Sequence, residues 1–291
     1  MRTKANREFS YDLIRVLAMI FVIGVHLPLE FTDNIWIFTI KSAVFLTCNG
    51  MFYMLSGKFN LSKSFETETD YVVFYKQKFI NIVFPFMVWT CLLFAYDYKS
   101  LLFCMSMKQI VNAFGETVFA TNPSTHIWFM YPLIGFLISA PFLSKLISSL
   151  TEKEIRILFS VGMIWELITV ILINGIINVS NPFSGWFLEN FMFCFVLGGI
   201  YKRIVNNGKK LKRYITIGLV ALVLTILWVV LLPNRSSRAY DLSPAYTLTT
   251  MGFFLFIENK ANFSNLIISK IISFAARHSY GIYFIHQLVI N

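Results

Sequence analysis

Charged residues are scarce in this sequence, and their scarcity excludes most soluble folds. Only 14% of the 291 residues are Asp, Glu, Lys or Arg, whereas 57% are hydrophobic and 31 are Phe. A soluble domain of ordinary composition is about 25% charged and about 45–50% apolar. Apolar runs long enough for a helix to cross the bilayer recur along the chain. The sequence therefore predicts an all-α, polytopic transmembrane helical bundle, and the continuous runs exclude the alternating strands of a membrane β-barrel.

Cysteine and histidine are also few, and neither is spaced for metal binding. The four cysteines lie in or beside apolar stretches and form no C-x-x-C pair, so a disulfide framework is not indicated. The four histidines have no H-x-x-x-H spacing and no carboxylate cluster near them in the sequence. We therefore expect no metal cofactor.

The apolar runs divide the chain into about nine to ten membrane spans. The segment 99–125 is moderately apolar and is predicted to form an interfacial helix or a partly re-entrant element. No repeat, low-complexity tract or appended soluble domain is found, so residues 1–291 are predicted to form one integral membrane domain. The nine predicted spans are roughly 10–30, 36–57, 72–96, 126–144, 155–177, 185–203, 213–232, 243–258 and 268–290.

The basic residues predict the orientation of these spans. The net charge of +10 is not read as a nucleic-acid surface, because the charges cluster in short loops between apolar runs. The N-terminus and every second connection after it hold 18 Lys and Arg, and the opposite set holds 4. Since cytoplasmic loops carry the excess of Lys and Arg, we expect a multi-pass protein of the cell membrane with its N-terminus in the cytoplasm.

Within the first span, the stretch RVLAMIFVIGVH begins on an arginine and ends on a histidine. Arg15 and His26 are eleven residues apart, which is three helical turns to within about 20° and about 16 Å along the axis. A charged group inside a span costs about 2.5–3.5 kcal/mol on insertion scales, so these side chains are expected to face a protein interior or a wet cavity. Asp12 precedes Arg15 by three residues and is placed to pair with it. Together they predict one wall of a polar shaft, although a snorkelling arginine and a buried structural histidine are the simpler alternative.

Further polar groups lie in or near the other spans. Glu166 is a candidate for the same cavity, or a carboxyl that is protonated and hydrogen-bonded structurally. His286 lies in the last span, and it is read either as a residue packed in the wall of a polar groove or as one with a chemical role. The pair Ser56-Gly57 most simply permits close helix packing.

Five motifs in order resemble the membrane-bound acyltransferase family 3. They are Asp12-x-x-Arg15 with His26, and the stretches CNGMFYMLSGKFNL, FYKQKFINIVFP, HIWFMYPLIGF and SYGIYFIH. The family usually carries two arginines before the third-span proline, where this chain has Lys78 and Asn81. Family members also continue past the final-span histidine, so the resemblance predicts a short or truncated member, and an inactive fragment is a third reading.

This resemblance implies a bacterial-type O-acyltransferase that moves an acyl group, most commonly acetyl, from cytoplasmic acyl-CoA to an envelope glycan or lipid-linked glycan. His26 is then the general base, since a neutral imidazole accepts a proton near neutral pH, or it carries the acyl group itself. Arg15, with Lys76 and Lys78, is expected to bind the phosphates of CoA. Asp12, His286 and Glu166 are the remaining predicted substrate-binding residues.

A transporter is the main alternative to an enzyme. A saccharide or a small solute could use the same polar shaft. Against this stands the absence from the sequence of an inverted repeat and of paired, Gly- or Pro-broken spans.

Overall fold

A computed structural model describes residues 4–27, 34–101, 103–119, 126–177, 191–231, 244–261 and 266–290, except for a few side chains within helices. Nearly all of these residues are helical and none is in a β-strand, which confirms the all-α prediction. Two π-helical stretches, Phe79–Val83 and Leu167–Ile177, and the 3₁₀ turn His126–Phe129 interrupt or extend the helices. The α-helices are α1 (Lys4–His26), α2 (Ile35–Phe45), α3 (Thr47–Asn60), α4 (Glu68–Lys78), α5 (Phe84–Asp97), α6 (Met107–Phe119), α7 (Met130–Ser149), α8 (Glu152–Glu166), α9 (Phe191–Ile204), α10 (Gly208–Leu231), α11 (Pro244–Lys260) and α12 (Leu266–Ile290).

Six helical stretches of the described chain are long and apolar enough to cross a membrane: Phe9–His26, Ile35–Asn60, Glu68–Asp97, Ile127–Ser149, Glu152–Ile173 and Gly208–Leu231. Each coincides with a predicted span. The other three predicted spans coincide with α9, α11 and α12, although the start of the span 185–203 lies outside the described residues. In the segment 99–125, the structure describes the helix α6. The exact number of spans stays a prediction.

The chain divides into two compact units. One unit comprises residues 1–63 and 143–291, and the other comprises residues 64–142. We call them the large unit and the small unit. The prediction of a single domain over 1–291 stays a prediction.

Glycines allow two helix pairs of the large unit to pack backbone to backbone. A Cβ on Gly57 of α3 would collide with the carbonyl oxygen of Phe195 on α9, and a Cβ on Gly198 would collide with that of Met54. Gly218 of α10 and Gly252 of α11 meet in the same way. Small residues at such crossings are how membrane helices approach closely, so the packing role predicted for Ser56-Gly57 agrees with the contacts of Gly57.

The connections predicted to be cytoplasmic meet at one end of the large unit. At this end Arg203, at the end of α9, pairs with Glu152 at the start of α8, with Nε and Oε1 2.8 Å apart. The hydroxyl of Ser144 donates to the carbonyl of Leu61, the residue that follows α3, at 3.1 Å. In the first half of α1, the hydroxyl of Tyr11 donates to the carboxylate of Glu258, near the end of α11. These contacts agree with the alternation of basic loops, and the assignment of this end to the cytoplasm stays a prediction.

Helices α1 and α12 run parallel, side by side. Asp12 of α1 accepts a hydrogen bond from Ser273 of α12, and His26 at the other end of α1 contacts His286 of α12. The two contacts are a similar number of residues apart on each helix, so both helices point in the same direction.

The small unit is held by an aromatic cluster. The ring of Phe65 lies edge-on to that of Phe74, with centroids 5.2 Å apart, and Tyr71 contacts Phe142 of α7. The hydroxyl of Tyr75 donates to the carbonyl of Ile138, also on α7, at 2.9 Å. These contacts attach α4 to the first part of α7.

Candidate functional site

Two histidines meet where α1 ends. The imidazole rings of His26 and His286 have centroids 5.1 Å apart and planes inclined by 50°. His26 is exposed, whereas only 4% of the His286 side chain is accessible. The sequence singled out both residues but gave no reason to bring them together. Helix α12 does so because it packs along α1 in the same direction.

The contacts of His286 assign the position of its proton. Its Nδ1 lies 2.6 Å from the carbonyl oxygen of Tyr283, one turn earlier on α12. A carbonyl oxygen only accepts hydrogen bonds, so Nδ1 is the protonated nitrogen and Nε2 of the neutral ring has the lone pair. The ring of Tyr283 also contacts the imidazole, with centroids 5.9 Å apart. Tyr283 therefore fixes both the tautomer and the orientation of His286.

The predicted pair of Asp12 and Arg15 is present near the other end of α1. Nη1 of Arg15 lies 3.7 Å from Oδ1 of Asp12, and both side chains are about one-third exposed. The other carboxylate oxygen, Oδ2, accepts a hydrogen bond of 2.9 Å from the hydroxyl of Ser273. Asp12 thus connects the guanidinium to α12. The sequence analysis did not identify Ser273, because nothing in the sequence distinguishes it from the other serines of the chain.

The middle of this stripe of α1 is apolar. Between Arg15 and His26 the same face carries Met19 and Val22, each with 5% of its surface accessible. The predicted shaft is therefore not continuously polar along α1: a cation lies near one end, imidazoles lie at the other, and closely packed apolar side chains lie between them.

The two predicted lysines lie on α4, in the small unit. Lys76 is exposed. The ammonium of Lys78 lies 5.2 Å from the centre of the Phe74 ring, a distance at which a cation is attracted to an aromatic face. A π-helical stretch begins at the next residue, Phe79. Their joint action with Arg15 stays a prediction.

Glu166 ends α8 and is enclosed by the protein. Only 1% of it is accessible, and its Oε1 accepts a hydrogen bond of 2.8 Å from the hydroxyl of Thr247 on α11. Its Oε2 has no hydrogen-bond partner among the described residues. The contact with Thr247 links α8 to α11, and the predicted contact of Glu166 with a substrate stays a prediction.

A polar cluster that the sequence did not reveal lies one turn before Arg15. The hydroxyls of Tyr11 and Tyr201 donate to Oε1 of Glu258 at 2.9 and 3.1 Å, and Nζ of Lys202 lies 3.6 Å from the same oxygen. These residues come from α1, α9 and α11. A signal was present, since Lys202 and Glu258 follow long apolar runs, but only the fold brings them together.

Comparison with known proteins identifies the family. The sequence model of a family described as an acyltransferase domain matches residues 8–291. No curated protein and no solved structure matches the chain. Among the described residues, no three His, Cys, Asp or Glu side chains group in a way that could hold a metal ion. The match covers nearly the whole chain and includes both helices of the histidine pair, so this protein belongs to acyltransferase family 3 and is a multi-pass membrane acyltransferase.

Proposed function

We propose that this protein transfers an acyl group, with acetyl as the expected group, from cytoplasmic acyl-CoA to a hydroxyl of an envelope glycan or glycolipid, with His26 as the general base. The observation that supports this role is the exposed ring of His26 at the end of α1, in contact with the buried ring of His286. An exposed imidazole is open to an acceptor, and the buried one holds it in place.

The chemistry requires a group that takes up a proton and returns it. The acceptor hydroxyl loses its proton to the imidazole of His26 as its oxygen attacks the carbonyl carbon of the thioester. The C–S bond breaks, and the thiolate of CoA leaves with the proton that His26 releases. The products are the ester and free CoA, and His26 returns to its neutral form.

The ring of His286 lies against that of His26, with centroids 5.1 Å apart. His286, fixed by its bond to Tyr283, acts as a positioning residue for His26 in this proposal.

The donor is assigned to the end of α1 that carries Arg15. A guanidinium binds phosphate oxygens through paired hydrogen bonds, and Asp12 orients this guanidinium. Lys76 and Lys78 are assigned further contacts with the phosphates of the donor. Arg15 and His26 are separated by about 16 Å of helix, so the flexible arm of the donor has to pass Met19 and Val22 to bring its thioester to His26.

Labelled acetyl-CoA tests this proposal. Membranes that contain the protein are incubated with acetyl-CoA labelled in the acetyl group, and the envelope glycans and lipids are analysed for a new ester by mass spectrometry. We expect the ester with the intact protein and its loss with His26→Ala. Solute uptake without incorporation of label, or full activity of His26→Ala, would overturn the proposal.

A further inference from the structure

A polar cavity of about 480 Å³ lies at the end of the large unit near the start of α1. It is formed where α9 ends, α10 begins and α11 ends. Its volume lies within the range of about 300–1,000 Å³ that is usual for pockets that bind small molecules. The polar residues that line it are Tyr201, Lys202, Asn206, Asn207, Glu258 and Asn259.

These residues offer three kinds of contact. Lys202 supplies a positive charge for an anionic group, and 43% of its side chain is accessible. The carboxylate of Glu258 accepts hydrogen bonds from hydroxyl groups, as it already does from Tyr11 and Tyr201. Asn206, which is exposed, supplies an amide that both donates and accepts. A phosphorylated ligand that also carries hydroxyls and ring nitrogens matches this set.

The rest of the lining is apolar. Val205, Leu211 and Leu255 complete the wall, and such side chains suit the flat face of a heterocyclic base. A bare phosphate ion would leave this surface uncovered. The cavity is thus better matched to a nucleotide than to an inorganic anion.

The cavity is connected to the predicted donor site through one side chain. Tyr11 donates to Glu258 in the wall of the cavity, and Tyr11 precedes Arg15 by four residues on α1. Residues four apart lie on one face of a helix, one turn from each other. Arg15 therefore lies one turn of α1 beyond a residue that contacts the cavity wall.

From this geometry we infer that the cavity binds the phosphorylated nucleotide end of the thioester donor, and this inference rests on the proposed function. Lys202 contacts phosphate, Glu258 accepts from the ribose hydroxyls, and Asn206 contacts the polar edge of the base. Arg15 then meets the phosphates nearer the thioester. A nucleotide bound here fixes one end of the donor while the flexible arm lies along α1.

Phosphate is also present in lipid headgroups, and the test has to separate the two sources. The protein is purified in a detergent without phospholipid, and binding of adenosine 3′,5′-bisphosphate is measured by calorimetry. We expect saturable binding at one site, weakened at least about tenfold by Lys202→Ala, which removes a charge-assisted contact, and by Asn206→Asp, which adds a charge of the same sign as the phosphate.

Two control variants match these substitutions. Lys153→Ala removes an exposed lysine of α8, and Asn112→Asp adds a charge at an exposed position of α6; neither residue lines the cavity. We expect both to bind the bisphosphate as the unaltered protein does. Equal weakening by Lys153→Ala and Lys202→Ala would overturn the inference, because the effect would then reflect overall charge alone.

Acyl transfer supplies the second readout. With acetyl-CoA, Lys202→Ala and Asn206→Asp are expected to raise KM about tenfold with little change in kcat, the pattern of lost ground-state binding. With acetyl-pantetheine, which lacks the nucleotide, the variants should match the unaltered protein. Equal defects with both donors would overturn the inference.

The binding measurement does not depend on activity, so failure of this inference and failure of the proposed function are distinguishable. Nucleotide binding without transfer of acetyl supports the cavity and overturns the proposed reaction. Transfer of acetyl with no bisphosphate binding, or displacement of bisphosphate by vesicles of phosphatidylglycerol at equal phosphate concentration, overturns the cavity assignment.

Discussion

The rings of His26 and His286 are in contact, with centroids 5.1 Å apart, although they belong to the first and the last described helix. This contact joins α1 to α12 at one end of the helix pair, and the hydrogen bond from Ser273 to Asp12 joins them towards the other end. The proposed donor and acceptor ends are therefore positioned by the same two helices.

Removal of the imidazole at position 26 should abolish most of the activity. General-base catalysis contributes about 10²–10⁴-fold, so we expect His26→Ala to lower kcat by that factor for acyl transfer. His278→Ala is the matched control: it removes an exposed histidine whose Nδ1 contacts only its own helix, at the carbonyl of Phe274, among the hydrogen bonds described for it. That variant should stay within about twofold of the unaltered protein in kcat. Equal losses in both variants would contradict the assignment of the base.

Replacement of Arg15 by lysine should weaken binding of the donor. Lysine keeps the charge but loses the planar fork that contacts phosphate through two hydrogen bonds. We expect Arg15→Lys to raise KM for acetyl-CoA about tenfold, with a smaller effect on kcat. Arg156→Lys, at an exposed position of α8, is the control and should leave KM unchanged. An unchanged KM in Arg15→Lys would remove Arg15 from the donor site.

Substitutions of Glu166 distinguish a packing role from a chemical one. Glutamine preserves the shape and the hydrogen bond with Thr247, so Glu166→Gln should retain the melting temperature and the activity. Alanine leaves a cavity and an unpaired hydroxyl, and we expect a loss of about 2–4 kcal/mol in stability. Thermal unfolding in detergent measures the difference. A loss of kcat in Glu166→Gln with an unchanged melting temperature would show instead that the carboxyl takes part in the reaction.

A methyl group at Gly57 should separate α3 from α9. Because a Cβ there meets the backbone carbonyl of Phe195, the helices have to move apart, and we expect Gly57→Ala to destabilise the protein by about 1–3 kcal/mol. Gly135→Ala is the control, since a Cβ at that exposed position of α7 has no neighbour within 4 Å. It should be neutral or stabilising by up to about 1 kcal/mol. A Gly57→Ala protein with an unchanged melting temperature would contradict the close packing.

Cysteine labelling tests the orientation of the chain. Cys104 is exposed and lies in the segment predicted to be outside, so a membrane-impermeant maleimide should label it in intact cells. Lys153→Cys, made in a Cys104→Ser background, should react only after the cells are permeabilised, because the positive-inside pattern puts α8 with its N-terminus in the cytoplasm. The reverse labelling would invert the topology and with it the side from which the donor enters.

Much of the fold could be predicted from the local sequence. Runs of apolar residues predict helices, since a spanning segment must satisfy its own backbone hydrogen bonds, and each of the nine predicted spans has a helix at its place among the described residues. The ion pair of Asp12 and Arg15 could also be predicted, because residues three apart lie on one helix face. The division of the long span 155–177 into an α-helix and a π-helix could not be predicted, since hydropathy does not distinguish these two helix forms.

The candidate site was only partly predictable, because the sequence does not show which helices are neighbours. His26 and His286 stand out because a titratable group in an apolar run is costly, but the sequence gives no measure of the distance between them. Lys202 and Glu258 lie at helix ends rich in basic and polar residues, as is usual where a membrane helix meets a loop, so neither residue was singled out. Their ion pair appears only when α9 and α11 pack against each other.

By itself, the sequence determined that the chain forms membrane helices, where they lie and which connections alternate in charge, because each of these follows from hydropathy, length and charge within a single segment. Only the tertiary structure decided which helices are neighbours: it packs α12 along α1, joins His26 to His286, closes the middle of the predicted shaft with Met19 and Val22, and encloses the cavity beside Lys202. The physical reason is that helix pairing depends on the shapes of two distant surfaces, such as the backbone contact that Gly57 permits, and such complementarity is a property of pairs of segments rather than of either one.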